Sequence, residues 1–382
     1  MKLVRNISRI FVGLVFVFSG FVKAVDPWGT AYKNNDYLLA MGLESIVSLS
    51  FALAVLLIAA EFLVGFSLIF NVNTKLASWG ALIFMIIFTP LTLWLAIANP
   101  VSDCGCFGDA VKMTNWQTFY KNVIILALAL IVFTQRNKFF NSFLSRNWQW
   151  AISGFGLVIV SAIMWYSYRH LPLIDFLPFK EGNYLPALME IPPDAPKDEY
   201  AQFITLQDTT TGQNIEIDIN TYTTDSTYWG TGTKYKYVSM TEPKLIKKGY
   251  EPPIYNFTIY DKDNNNYIDS ALHYQGYVFL FTSSKLEIAS AKNIDNIINL
   301  YYWATQNNHR FFAITASTKE KIDTFTVQHN IPFPFYMCDE TTLKSMVRSN
   351  PGLMLLKKGT VVKKWSYIDF PNTEELNKII TK

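Results

Sequence analysis

Long apolar runs fill the first 170 residues, whereas apolar and polar positions alternate in short segments over the rest of the chain. A helix that crosses the hydrocarbon core of a membrane needs about 20 mostly apolar residues. Five runs meet this requirement, near residues 8–26, 45–70, 76–98, 119–134 and 149–168. The pattern therefore predicts an α-helical transmembrane bundle of five spans within residues 1–170.

Basic residues collect at one end of these predicted spans. The first span starts like a signal peptide, but no small-x-small cleavage site follows it, so we interpret it as a span. Lysine and arginine concentrate in the N-terminal segment and in the 71–75 and 135–147 loops, which predicts a cytoplasmic N-terminus. Residues 24–44, 99–118 and everything after 169 are then expected on the periplasmic side of a bacterial inner membrane.

The soluble half divides into three parts. Prolines interrupt residues 171–200, which are predicted to form a linker. Residues 201–249 contain short alternating segments that predict a small antiparallel β region. Over residues 250–382, strands alternate with helical segments and end in a hairpin and a last helix. This order predicts an α/β domain.

The order of elements resembles the thioredoxin fold, and so do local residues. The segment 349–359 is similar to the thioredoxin segment in which a cis-proline precedes a strand, with Pro351 in the place of that proline. An active thioredoxin carries Cys-x-x-Cys after its first central strand, where this chain has Ser283-Ser284-Lys285-Leu286. The resemblance implies a thioredoxin-like domain over residues 250–382 that has no dithiol of its own.

The reactive side chains concentrate in 103–109, between the third and fourth predicted spans. Cys104 and Cys106 flank one glycine, and cysteines at this spacing close a disulfide only through a tight ring, assisted by glycine's backbone freedom. Such a bond is readily reduced, which favours a redox-active pair. A passive staple of the loop and a metal or other use are the alternatives.

Three further residues have two interpretations each. Glu61 lies within the second span, where a carboxylate is costly, and is either a hydrogen-bond anchor between helices or a proton-handling group. Cys338 ends a predicted strand and is either an inert buried residue or a partner for the cysteine pair. His170, at the end of the fifth span, either assists proton movement or packs at the membrane interface.

Composition excludes some classes of function. The formal net charge is only +3, and basic residues form no run interleaved with aromatics, so nucleic acid is not an expected partner. Three cysteines in 382 residues are not a disulfide framework. A metal site is disfavoured, because a tetrahedral site needs more ligands than the two cysteines supply, although Asp103 and Asp109 of the same loop are further candidate ligands.

The first span and the cysteine loop carry a second resemblance. Segment 11–24 resembles the opening signature of the DoxX family, and segment 99–109 is similar to the cysteine loop of the methylamine utilisation MauE proteins of the same group. The likeness covers residues 8–135, and the fifth span with the soluble tail resembles an extension of DoxX-like proteins of the Bacteroidota. It implies a membrane bundle associated with thiol and disulfide redox or with the maturation of exported proteins.

The implied layout is akin to that of vitamin K epoxide reductase, which passes electrons between periplasmic thiols and a quinone. A quinone is therefore the one candidate cofactor. This chain departs from that enzyme because its membrane half has no Cys-x-x-Cys next to a quinone pocket.

Together these features predict an inner-membrane, redox-associated protein, with thiol-disulfide oxidoreductase as the candidate activity. Cys104 and Cys106 would cycle between dithiol and disulfide, and the thioredoxin-like domain would hold a periplasmic client or redox partner over them. The rival hypothesis is a membrane-anchored binding or assembly factor for envelope proteins, with the loop as a staple and the thioredoxin-like domain as an adaptor. Membrane lipid is the other expected partner.

Overall fold

The computed structural model describes residues 2–101, 103–139, 144–247 and 249–380. Outside the described residues lie 140–143 of the predicted basic loop, 102 before the cysteine pair, 248 of the β region and 381–382 of the thioredoxin-like domain. The chain forms two compact units, which are Met1–Leu185 together with Asn256–Lys382, and Pro186–Tyr255.

Among the residues that the structure describes, five helices are long and apolar enough to span a membrane, which confirms the prediction. They are α1 (Lys2–Val25), α3 (Ser50–Phe70, preceded by the 3-10 turn Glu44–Leu49), α4 (Thr74–Ala98), α5 (Asn115–Thr134) and α6 (Arg146–Arg169); α2 (Pro27–Ala40) follows α1. Helices α5 and α6 begin a few residues before their apolar runs, because polar residues cap their N-termini. Thr114 and Gln117 form a capping box at α5, and the Ser145 side chain accepts from the backbone N–H of Trp148 at α6.

Helix α2 occupies a segment for which the hydrophobic pattern predicted no element. Its start follows local rules, because the Asp26 side chain accepts a hydrogen bond from the Gly29 backbone N–H and Pro27 fills the first helical position. The helix is short and largely polar, so it does not register as a span. It packs against α3 beside the cysteine loop.

The closest helix pair in the bundle is α1 with α3. A Cβ atom added at Gly65 of α3 would lie 2.5 Å from the backbone nitrogen of Val17 and 2.7 Å from the carbonyl oxygen of Gly13. Glycine is therefore required for the two backbones to approach this closely. Such small-residue contacts are a main source of helix association in membranes.

Different segments of the chain meet at the two ends of the bundle. At one end, Arg9 of α1 donates to the carbonyl oxygens of Leu68 and Ile69 at the end of α3, and the Asn73 side chain bonds the Gln149 carbonyl oxygen and the Ser153 hydroxyl oxygen. The N-terminal and 71–75 basic segments share this end. The cysteine loop, α2 and the thioredoxin-like domain meet at the other end.

The unit Pro186–Tyr255 is built mainly from short strands. After α7 (Leu185–Met189) come β1 (Glu199–Ala201), β2 (Phe203–Asp208), β3 (Asn214–Asp218), α8 (Ile219–Thr224), β4 (Tyr235–Met240) and β5 (Lys244–Lys247). Strand β2 pairs antiparallel with β3 and with β4, and β1 pairs antiparallel with β5. The predicted small antiparallel β region is thus confirmed.

The remaining elements form the predicted α/β domain. They are α9 (Ile268–Leu272), β6 (Tyr277–Ser283), α10 (Ile294–Gln306), β7 (Arg310–Thr315), α11 (Lys319–His329), β8 (Phe335–Met337), α12 (Glu340–Met346), β9 (Gly352–Lys357), β10 (Thr360–Ser366) and α13 (Thr373–Ile380). The sheet order is β10-β9-β6-β7-β8, with β6, β7 and β8 parallel and β9 and β10 antiparallel to their neighbours. This is the thioredoxin strand order with one added edge strand, and the Asn350–Pro351 bond is cis.

Residues 170–185, which include the start of the predicted linker, run along the thioredoxin-like domain. Backbone N–H groups of Gly182 and Leu185 donate to carbonyl oxygens of Val361 and Gly359 at 2.8 and 2.9 Å. The buried Lys364 ammonium lies 2.6 Å from the Asp175 carboxylate. The chain leaving α6 is thereby bonded to the edge strand β10.

We expect Gly65→Ala to destabilise the bundle, because the added methyl group meets the α1 backbone. Overpacking of this kind typically costs about 1–3 kcal/mol. Gly154→Ala in α6 is the matched control, since a Cβ at Gly154 meets nothing within 4 Å. Thermal unfolding in detergent, followed by circular dichroism, should show a lower midpoint for Gly65→Ala alone; equal midpoints would contradict the close packing of α1 on α3.

Candidate functional site

The cysteine loop joins α4 to α5, and Cys104 and Cys106 are disulfide-bonded, with their Cα atoms 5.5 Å apart. Gly105 between them has φ +60°, a conformation that L side chains rarely adopt. The Asp103 carboxylate accepts a hydrogen bond from the Gly105 backbone N–H at 3.0 Å. The loop is therefore folded by its own residues into a tight turn around the disulfide.

Helices α1 and α2 hold this loop by its backbone. The Ser19 hydroxyl donates to the Cys106 carbonyl oxygen at 2.6 Å, and the Tyr37 hydroxyl donates to the Cys104 carbonyl oxygen at 2.5 Å. The Lys33 ammonium pairs with Asp103 at 2.9 Å. Burial, reinforced by the charge of Asp103, raises the pKa of Tyr37, so its hydroxyl keeps the proton that it donates.

The two sulfur atoms are not equivalent. Cys104 is 8% exposed, whereas Cys106 is partly exposed. The Cys106 backbone N–H donates to the Cys104 sulfur at 3.2 Å. A hydrogen bond of this kind stabilises a thiolate more than a thiol, so Cys104 is the sulfur better suited to carry negative charge.

Both cysteines line a cavity that runs into the bundle, which we call the bundle chamber. Its wall is formed by residues of α1, α2, α3, α4 and α5 together with the cysteine loop. Most of the wall inside the bundle is apolar. Six of its polar side chains come from the membrane-spanning helices: Ser19, Lys23, Glu61, Thr92, Lys121 and Asn122. The disulfide thus faces the interior of the membrane domain.

Glu61 pairs with Lys23 of α1 across the chamber, with 2.7 Å between the carboxylate oxygen and the ammonium nitrogen. The two side chains are only 12% and 13% exposed. Both interpretations of Glu61 are compatible with this arrangement. The ion pair joins α3 to α1, as an anchor between helices would, and it also lines the chamber, where a proton-handling group would lie. The Asn122 amide donates to the Thr92 hydroxyl at 3.2 Å and fixes α5 to α4.

Lys121 is a chamber residue that sequence reasoning missed. It lies within α5, and its ammonium sits 4.2 Å from the centre of the Phe107 ring in the cysteine loop. A charged residue in a membrane span is expensive and usually functional. The same rule singles out Glu61 in the second span, and applied to the predicted 119–134 span it also singles out Lys121.

A buried arginine connects the thioredoxin-like domain to this end of the bundle. Arg348 contacts Asp26 at the start of α2 at 2.8 Å and Asp109 of the cysteine loop at 3.2 Å, and its side chain is 7% exposed. We call this three-residue contact the Arg348 clamp. Burial lowers the pKa of Arg348, but Asp26 and Asp109 outweigh that effect and raise it, so the guanidinium group keeps its positive charge.

The segment where a thioredoxin would carry its cysteines is bonded to the cis-proline segment. The Ser283 hydroxyl donates to the Asn350 side-chain oxygen at 2.7 Å, and the Asn350 amide donates to the Lys285 carbonyl oxygen at 2.8 Å. Ser284 and Lys285 line a groove against α2, while Cys104 and Cys106 line the bundle chamber. The structure therefore does not bring Ser284, Lys285 and the cysteine pair into one cavity.

Cys338 and His170 lie away from the chamber lining. Cys338 is buried, and burial raises the pKa of its thiol to about 12, so it is almost entirely protonated at neutral pH. His170 bonds Asp369 of the thioredoxin-like domain, with 2.8 Å from Nδ1 to the carboxylate. Across the described ranges, no group of three or more His, Cys, Asp and Glu residues is arranged to hold a metal ion.

Comparison with known proteins gives a family match for the membrane half. Residues 1–135 match the family model described as methylamine utilisation protein MauE. No curated protein matches the chain. One similar solved structure is a proposed protein disulfide isomerase from Bacteroides thetaiotaomicron, which is 14% identical and aligns over 33% of this chain and 86% of its own length, with a TM-score of 0.26. The MauE match includes α1 to α5 and therefore every helix of the bundle chamber.

Removing the Arg348 side chain should loosen the contact between the thioredoxin-like domain and the cysteine loop. Arg348→Met leaves two carboxylates without their buried partner, a change that typically costs about 3–5 kcal/mol. Lys378→Met is the control, because Lys378 and Glu374 form an exposed pair that contributes little. Arg348→Met should unfold at a lower temperature and be more sensitive to protease than Lys378→Met. Equal behaviour of the two variants would contradict a structural role for the clamp.

The loss of stability caused by Arg348→Met should depend on pH. Burial raises the pKa of Asp109, and Arg348 partly lowers it, so loss of Arg348 raises this pKa further. A carboxyl group with a raised folded-state pKa loses stability as the pH rises through that value. We therefore expect Arg348→Met to be less destabilising at about pH 5 than at about pH 8, measured as the difference in unfolding midpoint from the parent protein.

Proposed function

We propose that this membrane protein is a thiol-disulfide redox protein whose reactive centre is the Cys104–Cys106 pair. The observation that carries the proposal is a disulfide held in a polar turn on the wall of a chamber inside a membrane bundle. Cys338 is a poor alternative nucleophile, because its thiol is buried and has a raised pKa. The MauE match over residues 1–135 supports a redox association.

In this proposal, exchange with a client begins at Cys106, the more exposed of the two cysteines. A thiolate of the client attacks Cys106, the disulfide breaks, and Cys104 leaves as a thiolate that accepts the Cys106 N–H. A second client thiol then displaces Cys106, so the client gains a disulfide and the pair becomes a dithiol. Two electrons pass from the client to Cys104 and Cys106, and the client's two thiol protons are released to the thiolates or to water.

Nearby cations favour the thiolate that this exchange requires. The side chain of Lys33 lies over Gly105, and its ammonium is bound to Asp103. Lys121 lies against Phe107, directly after Cys106. Positive charge close to a cysteine lowers the pKa of its thiol and increases the thiolate fraction. Glu61, already paired with Lys23, is the carboxylate suited to take up and return protons within the chamber.

The proposed location is a bacterial inner membrane with the cysteine loop on the periplasmic side, where disulfides persist. One observation supports this orientation. Basic residues of the N-terminus and of the 71–75 loop share the end of the bundle opposite to the cysteine loop. The positive-inside rule assigns such an end to the cytoplasm.

The alternative is a non-catalytic assembly factor for envelope proteins, and one observation favours it. The thioredoxin-like domain has no thiol at Ser283–Leu286, and this segment is bonded to Asn350 instead. In that case the domain is an adaptor and the disulfide a staple. Under the redox proposal, the same domain presents a periplasmic client or redox partner near the loop that it clamps.

Cysteine variants separate the two functions. We expect Cys104→Ser to abolish activity and to accumulate a mixed disulfide through the accessible Cys106, whereas Cys106→Ser abolishes activity and traps little. Cys338→Ser is the matched control and should leave activity unchanged. Acid-quenched thiol trapping followed by non-reducing electrophoresis reports the adducts, and full complementation by the double serine variant would exclude a redox role.

The orientation can be measured separately. A topology reporter fused after residue 170 should be active only on the periplasmic side, because α6 is the fifth of five spans. A fusion in the 71–75 loop is the control and should report the cytoplasm. Activity of the first fusion in the cytoplasm would place the cysteine loop in a reducing compartment and contradict the proposed location.

A further inference from the structure

A second cavity lies on the side of the bundle, separate from the bundle chamber. Helix α3 forms its floor and helices α4 and α6 form its two walls, and we call it the lateral groove. Its lining residues fall within 60–67 of α3, 73–84 of α4 and its N-cap, and 150–157 of α6. Its volume of about 490 Å³ is that of an ordinary ligand pocket.

One end of the lateral groove is polar and the rest is apolar. At the polar end, the Asn73 side chain donates to the Ser153 hydroxyl oxygen at 3.0 Å, and the hydroxyl oxygens of Ser153 and Ser67 lie 3.4 Å apart. Deeper in the bundle the lining is formed by apolar side chains such as Ile83 and Leu157, both exposed. A phospholipid has the same polarity, with a polar headgroup at one end and acyl chains along the rest.

The length of the groove corresponds to one leaflet of the membrane. Along α4 it extends from Asn73 to Phe84, which at 1.5 Å per residue is about 16 Å. This is roughly half of a hydrocarbon core of about 30 Å. A transmembrane helix of a partner or of a second copy crosses the whole core and would need a longer seat. An acyl chain of one leaflet needs only the length that the groove provides.

Cations surround the polar end of the groove. Trp79 of α4 and Trp150 of α6 lie on the two opposite walls. A basic residue precedes each tryptophan by four positions, Lys75 on α4 and Arg146 on α6, and residues four apart share one face of a helix. The Arg136 guanidinium lies 5.8 Å from the centre of the Trp79 ring. Three cations therefore lie at or beside this end of the groove.

No carboxylate neutralises these three cations. Residues 62–102 and 110–174, which include all of α4, α5 and α6, contain no Asp or Glu. Glu61 of α3 is paired with Lys23 in the bundle chamber. Basic residues at a membrane surface attract anionic lipids, and basic pockets between transmembrane helices bind their headgroups. An anionic headgroup therefore fits this end of the groove better than a zwitterionic one.

We propose that the lateral groove binds an anionic phospholipid, with its phosphate held by Lys75 and Arg146 and one acyl chain lying along α3. The inference is independent of the redox function proposed above, and only the assignment to the cytoplasmic leaflet rests on the proposed orientation. The positive-inside rule accounts for an excess of cations at this end of the bundle. It does not account for a groove of one-leaflet length that begins beside them.

The test uses the full chain in detergent, incubated with equal amounts of phosphatidylglycerol and phosphatidylcholine that carry the same acyl chains. Native mass spectrometry counts the lipid of each kind that stays bound. We expect preferential retention of phosphatidylglycerol, and Lys75→Met and Arg146→Met should each weaken it by about fivefold, the effect of one basic residue near an anionic headgroup. Lys2→Met is the matched control, because Lys2 is an exposed cation of α1, which contributes nothing to the groove lining.

A second variant tests the position of the acyl chain. Gly154→Leu places a side chain in the groove, and a Cβ at Gly154 meets nothing within 4 Å, so the fold should be kept. We expect this variant to lose most of the retained lipid of either kind. Its circular dichroism spectrum and its unfolding midpoint in detergent without added lipid should match those of the unaltered protein.

The outcomes decide both the lipid and its place. Preference for phosphatidylglycerol that falls in Lys75→Met and Arg146→Met, but not in Lys2→Met, supports the site. Equal retention of the two lipids, or an equal loss in Lys2→Met, overturns the assignment of an anionic lipid. Unchanged retention in Gly154→Leu overturns the groove as its place. A dimer in lipid-free detergent that Gly154→Leu dissociates would put a second copy in the groove and would likewise overturn the proposal.

Discussion

The Arg348 clamp is the contact through which the thioredoxin-like domain holds the cysteine loop in place. Burying a guanidinium group is costly unless carboxylates compensate for its lost hydration. Here one carboxylate comes from the start of α2 and the other from the cysteine loop, so a single arginine fixes two membrane-domain segments to the thioredoxin-like domain. Arg348 lies 322 residues from Asp26 in sequence, and the loop therefore has its full set of contacts only when the C-terminal domain is folded.

A similar constraint operates inside the membrane domain, where charged groups must find partners within the protein. Lys23 and Glu61 satisfy each other, and Asn122 bonds Thr92. These contacts join α1 to α3 and α5 to α4, and together they surround the chamber. The polar groups therefore stabilise the bundle and also give it a polar interior beside the disulfide. A purely structural pairing would not require the additional cation Lys121 on the same wall.

Much of the fold could be predicted from local pattern, because apolar length defines a membrane span and alternating strands and helices define the sheet domain. The five spans and the thioredoxin-like order were predicted correctly on that basis. The site was only partly predictable. Cys104, Cys106 and Glu61 stand out in sequence, but α2 is too polar to resemble a span, although Asp26 and Pro27 mark its start. Arg348 could not be foreseen, because its partners lie in other segments and only tertiary packing brings them together.

The fold gives Cys104 and Cys106 different surroundings. The carbonyl oxygen of Cys104 is bonded by α2 and that of Cys106 by α1, and both residues line the chamber wall. Cys106 is partly exposed and Cys104 nearly buried, and the Cys104 sulfur accepts the Cys106 backbone N–H, so the proposed exchange would use the two sulfur atoms for different steps. The thioredoxin-like domain lacks its own thiols and instead clamps the loop that has them. The absence of a dithiol from that domain is therefore compatible with the redox function proposed above, because the domain still fixes the loop through Arg348.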